Sequence, residues 1–113
     1  MLIEKIINDY LNSLDGVESY TEMPRTFPGR CYLIEKTGDS RADRINRATV
    51  AIKSYGESLY DSMELNEALK DAMLDGLVRL DEVAGVKLNS DYNFTDTTTK
   101  RYRYQAVFSV SYY

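Results

Sequence analysis

The residues best placed to do chemistry are carboxylates, and they fall in two groups. Asp91-Tyr92-Asn93-Phe94-Thr95-Asp96 begins as a calcium loop does, with oxygen-bearing side chains at alternate positions. A turn glycine is absent, however, and the twelfth position is Tyr102 where a bidentate glutamate is required, so the run reads as a strand entering a loop. Glu64, Glu67 and Asp71 recur at helical spacing and share one face, which is the pattern either of a metal-presenting helix or of an ordinary solvated one; the solvated face is the simpler reading. Asn93-Phe94-Thr95 has the form of a glycosylation acceptor, a chance match in a chain expected not to be exported.

Other chemistry is limited by what the composition lacks. There is no histidine, which removes the usual general base and the commonest transition-metal ligand. The single cysteine, Cys31, cannot close an internal disulfide and lies in the apolar run Cys31-Tyr32-Leu33-Ile34, where a buried hydrophobe is expected. Phosphate-binding glycine loops, dinucleotide fingerprints, nucleophile elbows and paired-cysteine metal motifs are all missing from the sequence. The expectation is a protein that is not an enzyme, with no catalytic, cofactor-binding or metal-binding residues.

Binding is the alternative to catalysis. Arg41, Arg44 and Arg47 gather in one short stretch, interspersed with Asp39 and Asp43, which suits a solvated tip or a protein contact better than a phosphate backbone. Eighteen acidic residues against 14 basic ones give a formal charge of −4, which disfavours tight nucleic-acid binding. Ten tyrosines and no tryptophan fit a protein interface, because each ring buries a large rigid area and keeps a polar tip. Base stacking is less favoured, since the rings are not interleaved with a basic patch and Tyr102, Tyr104 and Tyr112 fall on an expected core face.

The elements that must carry these residues fit one domain over residues 1–113, a length that sustains a core without disulfides. Leu2, Ile3, Ile6, Ile7, Tyr10, Leu11 and Leu14 step at helical spacing, and Asp15-Gly16 is expected to stop the helix. Acids interrupt the apolar residues of this first stretch, unlike a signal peptide, and no apolar run reaches membrane-spanning length. A short strand over 17–21 and a Pro-marked loop follow. Arg30 to Thr37 reads as a strand ending at Gly38, with a polar turn over 39–44 and a second strand over 45–55 whose Ala48, Val50 and Ile52 face the core. Ser58 should cap a second helix carrying Met63, Leu65, Ala68, Leu69, Ala72 and Met73 on one stripe, with Gly76 ending or bending it. Residues 77–83 fit a helical turn or a loop equally. Strands around Val86–Phe94 and 101–112 complete the chain, the last with Tyr102, Tyr104, Ala106, Phe108, Val110 and Tyr112 on one face. The predicted fold is α+β, an antiparallel four- to five-stranded sheet with two helices packed on one face.

Three stretches carry a likeness to a known family: Tyr20-Thr21-Glu22-Met23-Pro24, then Ala48-Thr49-Val50-Ala51-Ile52-Lys53-Ser54-Tyr55 leading into the Ser58 helix, then Arg103-Tyr104-Gln105-Ala106-Val107. In their order and spacing the chain resembles the phage tail terminator and head-tail joining family, the minor capsid or neck proteins of long-tailed phages. That resemblance implies a structural virion subunit that forms a homo-oligomeric ring, often a hexamer, on the tail tube. Its partners would be copies of itself, the tail tube protein and head-connector proteins, in the virion and, during assembly, in the host cytoplasm. DNA would pass through such a ring without being tightly held. A closing ring needs two different surfaces that fit each other; the outward strand face with Thr49, Ala51, Val107 and Ser109, and the tip with Arg41, Arg44 and Arg47, are the candidate interface. The competing reading is a cytosolic non-catalytic binding module that holds a peptide, nucleotide or single strand on its sheet or in its helix groove.

Overall fold

Helix α1, Ile3–Asn12, buries Ile3, Ile7 and Leu11 along one edge, the i, i+4, i+8 spacing that keeps side chains on one side of a helix. The computed structural model describes residues 2–113. Leu2 and Leu14 stay exposed. The helix ends earlier than Asp15-Gly16 suggests: Ser13 is its C-cap in right-handed conformation, with its hydroxyl donating to the Tyr10 carbonyl. Asn12 then ties the chain down, because its side-chain amide donates to the Ser19 carbonyl and its oxygen accepts from the Ser19 N–H. That clasp imitates a strand neighbour and holds β1, Ser19–Tyr20, which pairs in parallel with Tyr32 and Leu33. The sheet is therefore mixed, and the antiparallel expectation fails at this edge. A parallel partner requires the chain to cross back, which the loop 21–30 does, with Gly29 at φ 87°.

Strand β2, Cys31–Ala42, runs five residues beyond the expected stop at Thr37 and pairs with β3, Ile45–Gly56, along its whole length. Gly38 does not end the strand; the register shifts between Lys36 and Gly38, so one extra residue is accommodated as a bulge. The connecting turn is only Asp43-Arg44, both at positive φ (51° and 66°). Two-residue hairpin turns need that backbone to match the strand twist, and asparagine-glycine is the usual sequence for it. The polar stretch 39–44 reads as a loop because this end of the ribbon projects beyond the core, where no side chain is buried.

Ser58 caps α2, Leu59–Asp71, by accepting from the Asp61 N–H. The buried face of α2 is Ser62, Leu65, Asn66 and Leu69; Met63 and Ala68 point outward, so the apolar stripe is narrower than predicted. The helix continues through a π turn, Ala72–Gly76, and a 3-10 turn, Leu77–Arg79, which settles the ambiguous stretch and buries Met73 and Leu77. Gly76 sits against Tyr10 of α1: a Cβ there would lie 1.8 Å from the tyrosine hydroxyl. A methyl group there would have to push the end of the Tyr10 side chain aside.

Strands β4, Val83–Asn93, and β5, Tyr102–Tyr112, pair antiparallel, and β5 also pairs with β3, giving the order β1-β2-β3-β5-β4. Both helices lie on one face, where Ile34, Val50, Ile52, Ala106, Phe108 and Val110 meet Ile7, Leu65, Leu69 and Met73 in one cluster. Tyr112 joins this core, but Tyr104 is half-buried and Tyr102 is exposed, since β5 starts beyond the cover of the helices. The fold is α+β, five strands and two helices in two layers.

Candidate interaction face

Because the helices share one side, the opposite side of the sheet is left open, and strand register fixes what it displays. Directly paired residues point the same way, so the face is built in rows: Gly38, Thr49, Ser109 and Lys87; then Glu35, Ala51, Val107 and Ser90; then Leu33, Lys53, Gln105 and Tyr92. Thr49, Ala51, Val107 and Ser109 thus form a compact square of small side chains at its centre. Ala51 is only 4% exposed although no helix covers it, a methyl recessed among longer neighbours. Beside the square lies an open depression of about 690 Å³ bordered by Gly38, Arg47, Thr49, Gly85, Lys87 and Ser109.

The three arginines do not act as one cluster. Arg47 stands on the open face, paired with Ser40 and Ser111. Arg41 lies on the opposite side of the ribbon and donates to Asn46 Oδ1, while Arg44 occupies the apex of the turn.

At the other end of the same face four rings gather, and three of them, Phe27, Tyr55 and Phe94, meet cations. Phe27 packs edge-on against Tyr55 with centroids 5.4 Å apart, and Tyr92 against Phe94 at 5.9 Å. The Arg101 guanidinium lies 4.1 Å from the Phe27 centroid and that of Arg103 lies 4.6 Å from Phe94. Arg103 also donates to the Phe94 carbonyl and the Tyr55 hydroxyl, and Lys53 approaches Phe94 at 5.9 Å. This overturns the expectation that the aromatic residues are not interleaved with basic ones. Along the chain they are apart; the register of Tyr55 against Arg103 and the return of loops 21–30 and 94–101 bring them together. The alternation of Lys53 and Tyr55 on β3 and of Arg101-Tyr102-Arg103-Tyr104 at the start of β5 was the sequence signal for it.

Charge is unevenly shared between the layers. On the open face of β2 to β5 the cations Arg47, Lys53, Lys87 and Arg103 face a single carboxylate, Glu35, which sits 3.4 Å from Lys53. On the helix side Glu64, Glu67 and Asp71 lie exposed along α2, with Asp75 following. Lys70 bridges Glu67 at 2.7 Å and Asp91 at 2.9 Å. The Lys70 ammonium and, secondarily, the Asn66 amide hold the Asp91 carboxyl below its ordinary range against the opposing effect of burial. Asp91, the first residue of the calcium-like run, is thereby committed to tying β4 to α2, and Asn93 and Asp96 accept from Thr95, Thr98 and Thr99 in their own loop. Arg30, with a smaller effect from the Glu57 N–H, likewise lowers the Asp61 carboxyl at the start of α2. Cys31 is buried, and desolvation pushes its thiol up to about 11, which removes the thiolate needed for reactivity at neutral pH.

No α-helix among the described residues is long and apolar enough to cross a membrane. In comparison with known proteins, no family model and no curated sequence matches the chain.

Proposed function

We propose that the chain is a structural subunit of a phage neck, a tail terminator or head-tail joining protein that assembles as a ring on the tail tube. The observation that carries this reading is the uncovered sheet face: a two-layer domain whose second sheet surface holds small side chains at its centre, unpaired cations at one side and anchored rings at its end. Flat, partly recessed surfaces of this kind suit packing against another folded surface more than they suit enclosing a small molecule. The resemblance supplies the partners: further copies of the chain, the tail tube protein and head-connector proteins. Thr49, Ala51, Val107, Ser109 and Arg47 lie together on the face assigned to assembly, with Arg41 and Arg44 on the projecting ribbon beside it. Light scattering behind a sizing column, with negative-stain imaging of the largest species, tests the proposal. Closed rings of one size, or chains decorating tail ends, support it; a protein that neither self-associates nor decorates tails refutes it.

A second reading has an observation of its own. The cluster of Phe27, Tyr55, Phe94, Arg101 and Arg103 offers rings and guanidinium planes on an open sheet, the arrangement on which single strands stack. Binding of a short single-stranded oligonucleotide that weakens steeply with salt and is lost in Phe94→Ala would favour that module over the ring.

A further inference from the structure

The two layers carry opposite charge on opposite outer surfaces, and the charges that lack partners match in spacing. Among the described residues, Arg47 and Lys87 make no ion pair, and neither do Glu64 and Asp71. Lys87 lies two strands from the Arg47 strand and two residues along from the Arg47 row, which places the two about 12 Å apart by sheet spacing. Glu64 and Asp71 are seven residues apart on one face of α2, about 10 Å by helix rise. Between Arg47 and Lys87 the sheet surface is low, formed by Thr49, Ser109 and Gly85 around the open depression, which leaves room for a helix to lie.

We infer that the open sheet face of one copy receives the outer face of α2 from the next copy, with Glu64 and Asp71 meeting Arg47 and Lys87. The inference rests on the ring reading and specifies its contact. Because the two surfaces are on opposite sides of one molecule, the contact is head-to-tail: every copy offers a sheet to one neighbour and a helix to another, the arrangement that closes into a ring or continues as a filament. A second copy is the occupant that the charge pattern selects, since in a chain of net charge −4 this sheet face carries four cations against one carboxylate while the outer face of α2 carries Glu64, Glu67 and Asp71. Complementary charge across such a contact sets orientation and register, while like charges brought face to face are strongly disfavoured.

A charge-swap experiment on the full chain tests this. One variant carries Arg47→Glu and Lys87→Glu, the other Glu64→Lys and Asp71→Lys; all four positions are exposed, and circular dichroism melting checks that both still fold. Sedimentation velocity over a concentration series should show wild-type association that weakens with added salt. Each double variant alone should associate on the order of 100-fold more weakly, about tenfold per reversed charge. Mixed in equal amounts the two variants should associate again, because each acidic sheet then meets a basic helix and each basic sheet an acidic one. If either variant assembles as wild type does, or the mixture associates no better than its components, the contact is refuted. Closed rings persisting in those variants would leave the ring reading standing while removing this contact. Open filaments from the wild-type chain, abolished by either swap, would support the contact and count against ring closure. A wild-type chain monomeric at every concentration in low salt overturns the contact, and imaging of tail ends then decides the ring separately.

Discussion

Replacing Gly56 by alanine should unseat α2 from the sheet. A Cβ at Gly56 would stand 2.4 Å from the Ser62 backbone nitrogen and 2.9 Å from the Asp61 carbonyl carbon and the Ser62 Cα. Ordinary contact begins near 3.4 Å, so the first turn of α2 must retreat by about 1 Å, and backbone cannot yield as the end of a flexible side chain can. Overpacking of this kind costs about 1–3 kcal/mol. The retreat also strains the Ser58 cap, whose 3.0 Å bond to the Asp61 N–H is worth about 1 kcal/mol. Against this, alanine recovers about 0.5 kcal/mol over glycine within a strand. The expected net loss is about 3 kcal/mol, a fall in Tm of about 12 °C for a domain of this size. Urea unfolding followed by circular dichroism measures it, with Gly85→Ala as the control, since nothing lies within 4 Å of a Cβ at Gly85. A Gly56→Ala protein within 1 kcal/mol of wild type, on the order of the measurement's own spread, would refute the steric account of this junction.

Arg44→Gly should raise stability by about 1 kcal/mol, because the turn holds Arg44 at φ 66°, a region costly for any residue with a Cβ; the urea midpoint reads the gain. Alkaline pH should destabilise the fold in two steps. Burial holds the Cys31 thiol at about 11 against an ordinary 9.0 and the Tyr32 hydroxyl at about 12 against 10.0. The stability these groups contribute is therefore complete below pH 9 and is lost as pH rises through the folded values, since the unfolded chain releases its protons first. Thermal melts at successive pH values should show the decline beginning near pH 9, and Cys31→Ala should delay its onset toward pH 10; an unchanged onset would contradict the burial of the thiol as its cause.

Elements with strong periodicity were legible in the sequence. The helix at the start of the chain, the Ser58 cap, the inward Ala48, Val50 and Ile52, and the alternation of β5 all follow from local residue spacing, and each lies where that spacing implies. What failed depended on context that no window of sequence contains. The strand at 38–42 was hidden because its pairing comes from backbone bonds to β3, while its side chains remain in water and so carry no apolar alternation. Strand β1 is held by two hydrogen bonds between Ser19 and the side-chain amide of Asn12, one donated and one accepted by the amide, and Asn12 reads simply as polar helix surface. Of the interaction face, the small square of Thr49, Ala51, Val107 and Ser109 was readable from alternation on two strands. The ring and guanidinium cluster was not, because Phe27, Tyr55, Phe94 and Arg103 come from four segments joined only by register and loop return. The separation of charge between layers was equally invisible until the strands were aligned, since acids and bases mix evenly along the chain.

The bulged, water-facing end of β2 bears on solubility as well. Beyond Leu33 that strand is a sheet edge with no strand neighbour on its outer side, and a bare edge is a template on which stray chains can polymerise. The bulge at Gly38 and the charges of Lys36, Asp39 and Arg41 spoil the template: the first breaks the even spacing of donors and acceptors, and the others make a flat dry stack unfavourable. The edge is thereby guarded against fibre formation, and the residues that conceal this strand from a reader of the sequence conceal it equally from other chains.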